Sequence, residues 1–134
     1  MEKKFLILVV LLFILGCDEE RLLSPGQSVQ KLNTEFELKV GQWVSIDGEQ
    51  ISFKFESVPE DSRCPMNANC VWAGNAKVSL SLLETKCALN TTLDPHEITY
   101  SNHKIKLVSL TPYPFTEAPI SQDAYIAKFI VSKE

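Results

Sequence analysis

The sequence has few of the residues and motifs from which catalytic sites are usually built. Its 134 residues include two histidines, four cysteines and five glycines. It contains no glycine-rich phosphate loop and no nucleophile elbow. Both histidines, His96 and His103, lie beside turn residues, and we expect both to be solvated. These absences argue against an enzyme, so we expect no catalytic residues and no cofactor.

Clusters of basic residues are also missing. Lysine and arginine number 13 against 17 acidic residues, which gives a formal net charge of −4. A protein that binds nucleic acid usually carries a basic patch that follows the phosphate backbone. The charge pattern therefore predicts that nucleic acid is not a partner.

Long hydrophobic runs are absent after the N-terminus. Phe5 to Leu15 form an unbroken apolar run of eleven residues behind Lys3 and Lys4. A helix that crosses a bilayer needs about 20 apolar residues, so this run is too short. A short apolar run behind a basic start is typical of a secretory signal peptide.

The end of that run carries a more specific pattern. Ile14-Leu15-Gly16-Cys17 resembles the lipobox of bacterial lipoproteins, in which signal peptidase II cuts before a cysteine that carries lipid. The resemblance implies a signal peptide over residues 1–16, lipidation of Cys17 and attachment to a bacterial membrane. Asp18-Glu19-Glu20 resemble the acidic sorting signals of such proteins. Because those signals differ in meaning between bacterial groups, the inner membrane stays an alternative to the expected outer membrane or cell surface.

The remaining chain divides into a tether and one domain. Residues 17–34 contain proline, glycine, serine and glutamine without a sustained period, which predicts a flexible tether. Apolar and polar residues then alternate along 36–40, 51–56, 76–82, 104–107 and 125–132, and residues 43–46 with 51–58 predict a hairpin. We therefore expect residues 35–134 to form an all-β domain, either an antiparallel (immunoglobulin-like) β-sandwich or a small barrel of about seven strands. Its predicted core comprises Phe36, Leu38, Phe53, Phe55, Val78, Leu80, Leu107, Tyr125 and Phe129.

The segment 61–75, DSRCPMNANCVWAGN, holds two of the cysteines. An exported protein meets oxidising conditions, and Pro65 with two asparagines makes the chain between Cys64 and Cys70 easy to turn. We predict that these cysteines form a disulfide that fixes the loop 59–75. Cys87 is expected to be a lone cysteine that behaves as a small buried apolar residue, although its pairing with Cys64 or Cys70 is the alternative.

A metal site is the competing interpretation of the same segment. The spacing C-x5-C differs from the C-x2-C of redox motifs and zinc knuckles, so we expect no bound metal. Met66 beside two thiols would nevertheless suit Cu(I), which prefers soft sulfur ligands. A copper- or redox-handling lipoprotein that uses Cys64, Cys70 and Met66 is therefore the alternative function.

The same segment carries a second resemblance. Asp61-Ser62-Arg63-Cys64-Pro65, followed by Cys70 and Ala73-Gly74, is similar to a stretch of small uncharacterised exported bacterial proteins. This resemblance implies export but no activity.

Arg63 and Trp72 allow two roles. They could brace the loop, with Arg63 and Asp61 bonded to its backbone and Trp72 packed over the disulfide, and this structural role is the one that we expect. They could instead be exposed binding anchors, because arginine and tryptophan are enriched at binding hot spots. Tyr113 and Phe115 lie in a second, proline-stiffened loop, 111–119, and are further binding candidates.

Together these patterns favour a non-catalytic binding module. A lipid-anchored β-domain would present the two stiff loops, 59–75 and 111–119, to a protein or glycan partner. Rigidity lowers the entropy cost of binding, so the same scaffold would also suit an inhibitor of an exported protease. The sequence does not identify the partner.

Overall fold

The computed structural model describes residues 24–134, which form nine strands and one short 3-10 turn. The 3-10 turn covers Gln122–Ala124. The strands are β1 (Gln27–Gln30), β2 (Glu35–Lys39), β3 (Trp43–Ile46), β4 (Ser52–Asp61), β5 (Ala76–Leu82), β6 (Lys86–Asn90), β7 (Glu97–Tyr100), β8 (His103–Thr111) and β9 (Ile126–Lys133).

The strands make two open sheets that pack in a sandwich-like arrangement. The first sheet has the order β1-β3-β4-β5-β6 and the second has the order β2-β9-β8-β7. All neighbouring strands are antiparallel except β1 and β3, which are parallel. The prediction of an all-β fold is confirmed, and the two open sheets match the sandwich alternative. Within residues 24–134, no helix has the length and apolar character needed to cross a membrane.

The core lies between the sheets and contains all nine residues predicted for it. Period-two alternation places eight of these side chains on the inner faces of their strands, and Tyr125 directly precedes β9. Four phenylalanines, two from each sheet, make four ring pairs whose centroids are 5.5–6.3 Å apart. They are Phe36, Phe53, Phe55 and Phe129.

The predicted hairpin between β3 and β4 is confirmed. Val44 lies opposite Phe53, and the Ile46 amide donates to the Ile51 carbonyl oxygen at 3.2 Å. Gly48 in the intervening turn has φ +72°, a left-handed conformation that glycine adopts without steric cost.

The structure contains three short strands, β1, β6 and β7, beyond the segments that alternation predicted. β1 covers residues 27–30, which were predicted to belong to the flexible tether, so this part of the prediction is wrong. β1 pairs with β3, and the Trp43 amide donates to the Gly26 carbonyl oxygen at 2.9 Å. All three are short strands at the edges of their sheets. The predicted signal peptide, 1–16, the lipidation site Cys17 and the first part of the tether lie outside the described residues.

Candidate binding surface

Cys64 and Cys70 form a disulfide, as predicted. Their Cα atoms are 5.9 Å apart, within the range that a disulfide requires. Because the two sulfurs are bonded to each other, neither is a thiolate ligand in this structure. Among residues 24–134, no group of three or more His, Cys, Asp or Glu side chains is arranged to hold a metal ion.

Cys87 has no disulfide partner. It lies on β6, half-buried against the edge of the core. Burial raises the pKa of its thiol to about 11, because a thiolate loses hydration there. The expected lone, apolar cysteine is therefore the one observed, although it is only partly buried.

Backbone hydrogen bonds close the two arms of the disulfide loop onto each other. The Ser62 amide donates to the Asn75 carbonyl oxygen at 2.7 Å, and the Cys64 amide donates to the Ala73 carbonyl oxygen at 2.9 Å. Gly74 lies against the opposite arm with φ +71°, and a Cβ atom built on it would be 1.8 Å from the Ser62 carbonyl oxygen. The arms can approach this closely only because residue 74 is glycine.

The two loops singled out in the sequence lie side by side. The Met66 amide donates to the Pro114 carbonyl oxygen at 3.0 Å, and the Asn67 amide donates to the Phe115 carbonyl oxygen at 3.3 Å. We call residues 64–75 together with residues 112–116 the composite loop surface. The sequence predicted each loop separately but not their pairing.

Arg63 lies beneath this surface rather than on it. Its side chain is buried, with a residue exposure of 5%, and it donates from Nη1 to the Leu110 carbonyl oxygen at 2.7 Å and from Nη2 to the Pro112 carbonyl oxygen at 2.9 Å. Arg63 is therefore not an exposed anchor. It has the expected bracing role, but its side chain braces the neighbouring segment 110–112 rather than its own loop.

Asp61 completes this buried group. Arg63 Nε and Nη2 donate to its two carboxylate oxygens at 2.8 and 2.6 Å, and the Tyr125 hydroxyl donates to Oδ2 at 3.0 Å. Burial alone would raise the pKa of Asp61, but the hydrogen bonds from Arg63 and Tyr125 outweigh it and the pKa is lowered. Burial and the neighbouring Asp61 carboxylate raise the pKa of Tyr125 to about 12.

Several large apolar or aromatic side chains reach solvent on the composite loop surface, beside the exposed polar residues Asn67, Asn69 and Thr116. Trp72 is 79% exposed, so it does not pack over the disulfide as expected but projects outward beside the fully exposed Val71. Tyr113 is 45% exposed and lies over the buried guanidinium, with its ring centroid 5.0 Å from Arg63 Cζ. Phe115 and Met66 are also largely exposed. No residue of the composite loop surface carries a charged side chain.

Two shallow grooves flank the surface. One has a volume of about 420 Å³ and runs between Trp72 and Leu93, and the other has a volume of about 250 Å³ and lies beside Tyr113 and Val108. The Asn75 side chain fixes the first groove, because its Oδ1 accepts the amides of Thr92 and Leu93 and its Nδ2 donates to Asn90 Oδ1. The sequence did not indicate Leu93, which is distant in sequence from both loops, or Val108, which lies on β8 shortly before the second loop.

The histidines differ from each other. His96 is partly exposed, and its Nδ1 lies 3.0 Å from the Asn90 carbonyl oxygen. His103 is buried, with an exposure of 6%, so the expectation that both histidines are solvated is wrong for His103. Its ring lies at the end of the sandwich opposite the composite loop surface, where the β3–β4 turn meets the second sheet.

No protein-family model matches the chain, and no curated protein or solved structure matches it either.

Proposed function

We propose that this protein is a non-catalytic binding module of the bacterial envelope, attached to a membrane by lipid on Cys17. The observation that carries the proposal is the composite loop surface. In this surface, a disulfide, backbone hydrogen bonds between the loops and a buried arginine support a set of exposed aromatic and aliphatic side chains.

The energetics of the surface favour recognition. Exposure of apolar side chains to water is unfavourable, and on this surface it concerns Trp72, Val71, Met66 and Phe115. A partner that covered them would gain about 25 cal/mol for each Å² of apolar surface buried. The loops are already fixed by covalent and hydrogen bonds, so binding would order few additional groups. A rigid, uncharged surface with exposed aromatic side chains resembles the centre of a protein–protein interface, where charged residues are depleted and aromatic residues enriched.

We propose a protein as the partner, with a glycan as the alternative. The fully exposed Val71 and the adjacent Trp72 project from the surface, so a partner with an apolar cleft would complement them. An exported protease is one such partner, because its substrate cleft receives extended chain. In that case the loop would inhibit the protease without being cleaved as a substrate.

The proposal is tested by site-specific cross-linking in the intact cell envelope. A photoreactive residue replaces Val71 in one variant and Leu83 in another; Leu83 is 71% exposed but lies at the opposite end of the sandwich. We expect a discrete adduct from position 71 and none from position 83. Equal adducts from both positions would contradict the assignment of the surface.

The partner identified in this way is then purified and its affinity measured. The double variant Trp72→Ala/Phe115→Ala should bind at least about 30-fold more weakly, as expected when hot-spot side chains are removed. Leu83→Ala is the matched control and should bind as the wild type does. If the partner is a glycan, isolated envelope polysaccharide should bind and the same double variant should abolish that binding.

A further inference from the structure

A second cluster of ionisable side chains lies at the end opposite the composite loop surface. Glu49, in the β3–β4 turn of the first sheet, contacts two residues of the second sheet. Its Oε2 lies 3.1 Å from His103 Nε2, and its Oε1 lies 2.7 Å from Lys133 Nζ. The other ring nitrogen of His103, Nδ1, lies 2.7 Å from the carbonyl oxygen of Ser101. Both nitrogens of a buried imidazole are thus in contact with oxygen atoms.

The hydrogen-bonding capacity of these oxygens decides the state of the ring. The Ser101 carbonyl oxygen can only accept a hydrogen bond. The hydrogen bond from Lys133 lowers the pKa of Glu49, so its carboxylate is also an acceptor. A neutral imidazole has a single N–H and would turn a lone pair toward one of these oxygens, whereas the protonated ring donates to both.

The neighbouring groups act in both directions. Lys133 lies directly opposite His103 across β8 and β9, and its positive charge opposes protonation of the ring. Glu49 lies between the His103 and Lys133 side chains and contacts each of them. Tyr100, the β7 partner of His103, is the other titratable side chain in register with it. The carboxylate therefore links two residues of the second sheet to a turn of the first.

We infer that protonated His103 is a latch that, together with Lys133, fixes the β3–β4 hairpin to the facing sheet, and that loss of its proton loosens the hairpin. The turn also walls a groove of about 580 Å³, whose other residues include Gln27, Val29 and Leu83. Loosening would change the shape of this groove while the apolar core stayed intact. The contact between His103 and Glu49 lies at the opposite end from the composite loop surface. The outcome of a test of the latch therefore does not bear on the proposed binding function.

The wild-type full-length protein, purified in detergent, tests the latch without a substitution. Nitrogen-15 spectra of the His103 ring at about pH 5.5 should show both nitrogens protonated, because each nitrogen faces an oxygen atom that can only accept a hydrogen bond. Hydrogen exchange then reports on the hairpin through the amides of Ile46, Asp47 and Glu49, which are bonded within the turn and to β1. Their protection factors should fall about tenfold or more between about pH 5.5 and about pH 8.5, while those of core amides stay constant.

Two variants make the attribution specific. His103→Gln should remove the pH dependence of hairpin protection, and His96→Gln, which changes the partly exposed histidine, should retain it. A neutral His103 ring at about pH 5.5, or hairpin protection that does not change across the series, would overturn the inference. These two readouts come from the wild type, so the inference stays falsifiable even if His103→Gln does not fold.

Discussion

Single residues fix the composite loop surface from below. Arg63 joins its own loop to the segment 110–112, and Asp61 holds the guanidinium in place with two parallel hydrogen bonds. Among the described residues, no buried side-chain nitrogen or oxygen lacks a hydrogen-bond partner. Since an unpaired buried charge would be costly, this pair depends on both of its members. Gly74 contributes differently, by the absence of a side chain.

Replacing Gly74 by alanine should destabilise the domain more than replacing any other described glycine. Gly48 is the matched control, because its φ of +72° is close to the +71° of Gly74 but no atom lies within 4 Å of its Cβ position. Gly48→Ala should cost about 1–2 kcal/mol for the left-handed conformation alone. Gly74→Ala should cost a further 1–3 kcal/mol, roughly, for displacement of the Ser62 backbone. Urea denaturation measures both, and equal losses would show that the arms are not held in close contact.

Asp61→Asn should flatten the acid side of the stability profile. The pKa of Asp61 is lowered in the fold, so its contribution to stability is present above the unfolded value of 3.8 and is lost as pH falls through the folded value. The wild type should therefore lose more stability than the variant between about pH 7 and about pH 2.5. Glu60→Gln, which removes an exposed ion pair with Lys77, should follow the wild-type profile. Parallel profiles for the wild type and Asp61→Asn would contradict the buried pair.

At the scale of elements, the disulfide loop and the β3–β4 turn occupy opposite ends of the same sheet. β4 begins at the turn that carries Glu49 and ends at Asp61, and side chains at each end reach across to the second sheet. The apolar core between the sheets is non-directional, so it does not specify the position of a loop. Hydrogen bonds and the disulfide supply that position.

Removing the disulfide should loosen the composite loop surface while leaving the sandwich folded. On the chain-entropy model, Cys64→Ser/Cys70→Ser should lower the free energy of unfolding by roughly 2–3 kcal/mol and increase hydrogen exchange at Met66 and Asn67. Cys87→Ser is the control and should leave that exchange unchanged. Peptide mapping of the non-reduced wild type should recover the Cys64–Cys70 cross-link, with Cys87 alkylated slowly in the native state. A cross-link to Cys87 would contradict this assignment.

At the scale of the whole molecule, the domain has a different group of charged side chains at each of its two ends. One end carries the uncharged composite loop surface above a buried ion pair, and the other carries the ionisable cluster of Glu49, His103 and Lys133. The proposed binding surface and the proposed pH-sensitive cluster are thus separated in space along the strand direction. We propose that the chain before β1 attaches this domain to a membrane.

Cys17→Ser tests the membrane attachment. We expect the wild-type protein to incorporate labelled fatty acid and to lose its first 16 residues, because a lipobox cysteine is both the cleavage signal and the lipid acceptor. The variant should accumulate as an unprocessed precursor without label, as judged by gel mobility and mass spectrometry. Cys87→Ser should be processed and labelled normally. Normal processing of Cys17→Ser would refute the lipoprotein assignment and with it the proposed location.

The sequence by itself determined the class of fold, most of the strands, the core and the disulfide. These features are local or periodic: alternation such as Phe53 and Phe55 in β4 states which face is buried, and two cysteines six positions apart can bond across one turn. The edge strands β1, β6 and β7 were not predicted, since such short segments become strands only when a neighbouring strand pairs with their backbone.

Only the tertiary structure decided which polar residues are buried against hydrogen-bonding partners and which loops lie next to each other. Arg63 and Leu110 are 47 positions apart, and Glu49 and His103 are 54 positions apart. Alternation along a strand does not predict such pairs, because it does not show whether a polar side chain contacts water or a partner residue. Trp72 shows the converse: its apolar character favoured packing, but a loop closed by Gly74 and the disulfide turned it toward solvent. Burial of a polar residue depends on the partner that satisfies it, and that partner is brought near only by folding.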